Sequence, residues 1–290
     1  LLEKAKLKPE QIKAIGCHGQ TIRHRPLNQH PFTLQIGCNQ TLAVLTGIRV
    51  IGDFRTKDMA LGGQGAPLVP AFHQAYLSEE DEDVFVVNIG GIANITYLPA
   101  NNKKSVIGFD TGPGNALLDD WFQYHHNDGS FDNNGEWAKI GSIDEELLTQ
   151  LVSDPYFSLP NPKSTGREYF NLNWIRNNLS ALDISATDIQ ATLTLLTAKT
   201  ISDQIKKLNC NGTVFLCGGG YKNAHLIDLI EKELPAHNIS LTNQRDIDAD
   251  LLESIAFAWL AFAYDKKIYS NIPAVTGASR KTTLGCEFLS

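Results

Sequence analysis

The sequence has a single methionine, Met59, and only five cysteines (Cys17, Cys38, Cys210, Cys217 and Cys286) in 290 residues. Their number is odd and no two have C-x-x-C spacing, so neither a disulfide framework nor a cysteine zinc site is indicated. A reducing cytoplasm is the expected compartment. There is no lysine- or arginine-rich block and the formal net charge is −7, which makes nucleic acid and anionic membrane poor partners. The most apolar helical stretch, 255–264, is too short to span a bilayer, and no signal-peptide pattern opens the chain. The chain starts without methionine, inside an amphipathic pattern at 1–7. A further native segment is therefore expected ahead of it.

What is present is an ordinary globular composition, 42% hydrophobic and 20% charged, long enough for two domains. The acidic run at 78–83 reads as a solvated linker. The expected division is a first domain over 1–82 and a second over 83–290.

The chain is organised around 84–120. An apolar, β-branched run at 84–87 reads as a buried strand closed by Asn88, Ile89, Gly90 and Gly91, and 92–98 continues as a second strand. A third, 105–109, ends at Asp110 and enters a Thr111-Gly112-Pro113-Gly114-Asn115 loop before a helix. Glycine loops at strand ends let a phosphate reach backbone N–H groups. A carboxylate at the end of a buried strand is rigid and partly desolvated, which suits a general base. The alternative is a hairpin whose Asp110 only caps a helix.

Elsewhere, His18 and Gln20 follow a short strand at 11–17 and either bond a polar ligand or satisfy nearby backbone. Asp53, Arg55 and Asp58 cluster after a strand at 48–51, beside a glycine-rich loop at 62–67. Arg55 is suited to a carboxylate or phosphate, against the alternative of a surface ion-pair cluster. The loop 163–168 is chemically loaded, but its pattern reads best as a capped helix start. A long helix is predicted over 186–208. The strand 213–217 runs into Gly218, Gly219 and Gly220 and then a helix, a geometry that lets backbone lie against a nucleotide. Glu253 opens a long apolar helix, complementing its dipole or facing a ligand.

Several segments in order resemble the anhydro-N-acetylmuramic acid kinase family across nearly the whole chain: HGQTIRHRP (18–26), TGIRVIGDFRTKDMALGGQGAPLVPAFH (46–73), VVNIGGIANITYL (86–98), GFDTGPGN (108–115), PKSTGREYFN (162–171), FLCGGGYKN (215–223) and ESIAFAWLA (253–261). The resemblance implies an α/β fold of the hexokinase, actin and Hsp70 type. It would comprise two RNase H-like domains with an interdomain cleft, the first lacking its N-terminal strands and first phosphate loop. It implies ATP and Mg²⁺ as cofactors, a small anhydro-amino-sugar substrate and a homodimer. Asn88, Gly90, Gly91, Asn94, Gly112, Gly114, Asn115 and Gly218 to Gly220 would bind the nucleotide. His18, Gln20, Asp53, Arg55 and Asp58 would line the sugar pocket. Asp110 would be the base that activates water, with Glu253 a second active-site carboxylate at the head of a connecting helix. A hydrolase or a non-catalytic ATP-binding module on the same fold are the competing readings.

Overall fold

The computed structural model describes residues 1–102, 104–127, 129–179, 183–209 and 211–290. Cys210 lies outside the described residues. Among these residues no helix is long and apolar enough to cross a membrane. The chain divides into two compact units, Leu1–Tyr76 with Leu251–Ser290, and Leu77–Asp250. This corrects the expected second domain over 83–290, because residues 251–290 complete the first unit.

In the first unit, β1 (Ile15–Cys17) pairs parallel with β4 (Val50–Gly52), and β10 (Cys286–Phe288) pairs antiparallel on the far side of β4. A separate hairpin joins β2 (Gln20–Arg25) to β3 (Phe32–Ile36). The helix Leu252–Lys266 lies directly on β1. A Cβ on Gly16 would sit 2.1 Å from the Phe257 carbonyl oxygen, so only glycine permits that approach. Asp58 is fully buried and acts as the clasp of this unit. Its Oδ1 accepts from Asn271 (2.9 Å) and Thr276 Oγ1 (2.8 Å), and its Oδ2 accepts from the Gly65 N–H at 2.8 Å. Buried polar groups must be bonded to be tolerated, and this set ties the 58–65 loop to the C-terminal segment.

The second unit holds a five-stranded sheet, order β7-β6-β5-β8-β9. Its members are β5 (Val84–Ile89), β6 (Ile92–Leu98), β7 (Ile107–Pro113), β8 (Gly212–Cys217) and β9 (His237–Leu241). The first three pair antiparallel and the last two add in parallel. Counted within the unit this is 3-2-1-4-5, the RNase H-like arrangement. Val84 to Val87 and Val214 to Cys217 are buried on both faces, as central strands of a covered sheet require. The helix Ala186–Leu208 covers one face, with Ala198, Ile201 and Ile205 in the same core as Phe85, Val87, Ile95 and Leu216. Each Val, Ile, Leu or Phe side chain among them contributes about 1.5–3 kcal/mol by leaving water. Ser185 caps that helix by accepting the Asp188 N–H.

The loop expected at 111–115 is largely strand. β7 runs on to Pro113 because Gly112 still pairs with Ala93. The turn that follows is packed tightly, since a Cβ on Gly114 would meet the Gly90 oxygen at 2.3 Å. Gly220 is equally constrained, 2.3 Å from Ile89 Cγ2, whereas a Cβ on Gly219 would meet nothing nearer than 3.9 Å. Overpacking of this kind costs about 1–3 kcal/mol. Gly220→Ala should therefore lower stability to denaturant by that amount, while Gly219→Ala leaves it nearly unchanged. Equal effects of the two substitutions would contradict this packing account.

Candidate active site

Strand register assembles the central part of the site. Asn88 on β5 stands opposite Asn94 on β6, and Asn94 stands opposite Asp110 on β7. Directly paired residues present side chains to the same face. A polar row thus crosses three strands at one end of the sheet. Asn88 also pairs with Cys217 on β8, the residue that leads into the glycine triplet.

Asp110 is half-buried, and its surroundings come from the 156–165 segment. Its backbone N–H donates to the Lys163 carbonyl (2.9 Å), and its carbonyl accepts from the Tyr156 hydroxyl (2.7 Å). The carboxylate Oδ2 accepts the Thr165 N–H at 3.0 Å. Burial disfavours the charge and outweighs that bond, so the carboxyl is pushed up to about 6. Lys163 is itself buried, donating to the Tyr156 (3.0 Å) and Phe157 (3.3 Å) carbonyls with its ammonium over the Tyr156 ring. The 163–168 loop is thus not a helix start, as its pattern suggested. The next helix, Leu172–Leu179, begins beyond it, with Asn171 accepting the Asn173 and Trp174 N–H groups.

The glycines expected to meet nucleotide separate into two groups. Gly112, Gly114, Gly218 and Gly220 are required by packing, for a Cβ on each would come within 2.8 Å of Phe157, Gly90, Asn88 or Ile89 respectively. Gly90, Gly91 and Gly219 face space instead, with nearest neighbours at 3.4, 3.6 and 3.9 Å. Only these three present open backbone that a phosphate or ribose can approach. The hairpin carrying Gly90 and Gly91 is fixed from behind. Its carbonyls accept N–H groups of Gly114, Asn115 and Ala116, and the Gly114 carbonyl accepts from buried Thr197 on the long helix. Asn115 adds a side-chain bond to the Ile89 carbonyl. The helix Ala224–Glu233 after the triplet already bonds its first N–H groups, Ala224 to Asn134 and Leu226 to Asn223. The open Gly219, and not that helix end, is the feature suited to a nucleotide there.

In the first unit, Arg55 and His18 form one device. The His18 Nδ1–H donates to the Gly19 carbonyl (2.9 Å), leaving Nε2 to accept from Arg55 Nε (3.1 Å) and Nη2 (2.8 Å). Arg55 Nη1 donates to the Gly65 carbonyl at 2.7 Å. Burial and then the Arg55 charge lower the His18 pKa, keeping the ring neutral. The Phe257 ring packs against it, tilted by 37°, with centroids 4.6 Å apart. Burial also lowers the Arg55 pKa, with Glu253 opposing as the nearby negative charge. His24 carries the same signature, lowered by burial and then by Arg55. Asp53 is half-buried and accepts from Thr56 Oγ1. Gln20 is exposed and only touches the Thr21 carbonyl, at 3.4 Å. Asp58 is the correction here. Its carboxylate is fully engaged in holding the loop, so it cannot line a sugar pocket.

The residues that sequence reasoning missed are Thr165, Tyr156, Lys163 and His24. For Lys163 and Thr165 the signal is the dense PKSTGRE string at 162–168, but nothing local to it points at Asp110, more than 50 positions earlier.

The sequence matches the family description anhydro-N-acetylmuramic acid kinase over residues 1–290. It is 55% identical to the anhydro-N-acetylmuramic acid kinase of Colwellia psychrerythraea, covering 100% of this chain and 78% of that protein. It is 53% identical to the enzyme of that name from Shewanella oneidensis (99% and 78%) and 50% identical to that from Coxiella burnetii (99% and 77%). This chain belongs to the anhydro-N-acetylmuramic acid kinase family.

Proposed function

We propose that this chain uses ATP to convert 1,6-anhydro-N-acetylmuramic acid to N-acetylmuramic acid 6-phosphate, a step of peptidoglycan recycling, with Asp110 as the base. The substrate has no free 6-hydroxyl, because O6 bridges to C1. In the proposed reaction a water loses its proton to Asp110 and bonds to C1, the C1–O6 bond breaks, and O6 takes the terminal phosphoryl group as ADP leaves. The observation that carries this is the Asp110 carboxylate, half-buried, oriented by the Thr165 N–H and pushed up to about 6. A base is most effective with a pKa near working pH.

Gly90, Gly91 and Gly219 are open enough to fit nucleotide, and Asn88, Asn94 and Asn115 lie beside them with polar side chains. Among the described residues no group of three or more His, Cys, Asp or Glu is gathered to hold a metal. Mg²⁺ would then be carried mainly by phosphate and water oxygens, neutralising charge on the phosphates. Arg55, oriented by neutral His18, suits the lactyl carboxylate of the sugar, with Glu253 as the second carboxylate of the site. A homodimer in the cytoplasm completes this reading, which sedimentation and fractionation would check.

Asp110→Asn should abolish sugar-dependent ADP release, by at least about 100-fold for loss of a general base. The same variant should be more stable than the parent at neutral pH. The folded-state pKa is raised, so the folded protein binds more protons between about 4 and 6. Stability is lost as pH rises through that window, and the cost is complete above it. Removing the charge should return on the order of 1–3 kcal/mol, read as a raised midpoint of thermal or urea unfolding. An active or a less stable variant would count against the assignment.

The pH dependence follows from the same group. kcat/KM should fall about tenfold per unit below pH 6 and level off above it. A profile flat down to pH 5 would exclude Asp110 as the titrating base.

A further inference from the structure

One loop touches both parts of the second unit's chemistry. Its Thr165 N–H donates to the Asp110 carboxylate at 3.0 Å. Two residues on, the Arg167 side chain lies over the open glycine hairpin, for a Cβ on Gly91 would meet Arg167 Cδ at 3.6 Å and Cγ at 3.9 Å. The stem thus crosses the one stretch of that hairpin where backbone is open to a phosphate. The Arg167 side chain is 59% exposed, and its guanidinium is paired through Nη2 with Asp120 Oδ1 at 2.6 Å. With its arginine end largely in solvent, a pair of this kind is worth about 0–1 kcal/mol, so the guanidinium can exchange Asp120 for another anion.

The base of the loop, by contrast, is anchored far more firmly than a surface ion pair needs. Buried Lys163 holds the Tyr156 and Phe157 carbonyls, and Tyr156 in turn holds the Asp110 carbonyl. Gly166 leaves room for the Glu168 carboxylate, which would be 2.1 Å from a Cβ there. Backbone position relative to Asp110 is therefore fixed, while the cation at the loop's end is free to change partner.

We propose that Arg167 is a phosphate-contacting residue of the reaction, its guanidinium exchanging Asp120 for terminal phosphoryl oxygens and stabilising the charge that develops there. This rests on the reading of the chain as an ATP-dependent sugar kinase. Arginine suits the task because its planar fork matches phosphate oxygens in pairs and stays charged, and charge stabilisation is most of what a protein can add to phosphoryl transfer.

The test combines direct titration and turnover. Binding of ADP and of the non-hydrolysable analogue AMPPNP, each with Mg²⁺, is measured by calorimetry for the parent, Arg167→Ala, Arg167→Lys and Asp120→Asn. ADP release is measured with and without the anhydro-sugar. Arg167→Ala should bind ADP within about twofold of the parent but AMPPNP about tenfold or more weakly. Its kcat should fall about 100-fold or more, with partial recovery in Arg167→Lys or on adding guanidinium. Asp120→Asn, which frees the guanidinium, should bind AMPPNP at least as tightly as the parent. Equal weakening toward ADP and AMPPNP in Arg167→Ala, an unchanged kcat, or an Asp120→Asn variant as damaged as Arg167→Ala would overturn the proposal. A parent protein without sugar-dependent ADP release would instead overturn the kinase reading beneath it.

Discussion

A carboxylate half out of water, held by one backbone N–H, is the interaction on which the second unit's design turns. Leaving water penalises the charged form of Asp110, and the Thr165 N–H returns only part of that penalty. A protein gains no stability from such an arrangement. The surrounding structure must therefore over-determine it, and it does so from both sides. β6 fixes the strand by pairing, and the 156–165 segment fixes the carbonyl, the amide and the carboxylate separately. Asn88 and Asn94 continue the polar row without adding a second charge, leaving the Asp110 carboxyl near neutrality in its pKa.

The glycines make the same division between support and function. Behind the hairpin, the long helix reaches through Thr197 to Gly114, whose neighbours hold the Gly90 and Gly91 carbonyls. Packing from the core thus sets the position of backbone whose other side is open. In the first unit a buried carboxylate does the supporting work. Asp58 fixes the loop whose Gly65 carbonyl receives Arg55, and Arg55 with His18 forms the polar device of that unit.

Much of this was legible in the chain itself. The helix at 186–208 and the strands at 84–87, 92–98 and 213–217 stand where the apolar pattern puts them. β9 and β10 were not legible, because HNISL and CEF carry no apolar run and β10 finds its partner more than 230 residues away. Asp58 reads as a surface charge for the same reason, since Asn271 and Thr276 come from the other end of the chain. A glycine needed for close packing and one left open to a ligand look alike in sequence. Gly220 and Gly219 are adjacent, yet only the contacts around them tell them apart. The 163–168 loop reads in sequence as a capped helix start, because its target on β7 is invisible to local pattern.

The central claim is that water activated at Asp110 enters the sugar while O6 goes to phosphorus. The direct measurement is turnover in ¹⁸O-labelled water, quenched early, with the label located in the product by mass spectrometry. The account predicts one solvent oxygen on C1 of the sugar phosphate and none in its phosphate group. Solvent oxygen in phosphate, or inorganic phosphate carrying the label without sugar, would mean that water attacks phosphorus and would contradict the account.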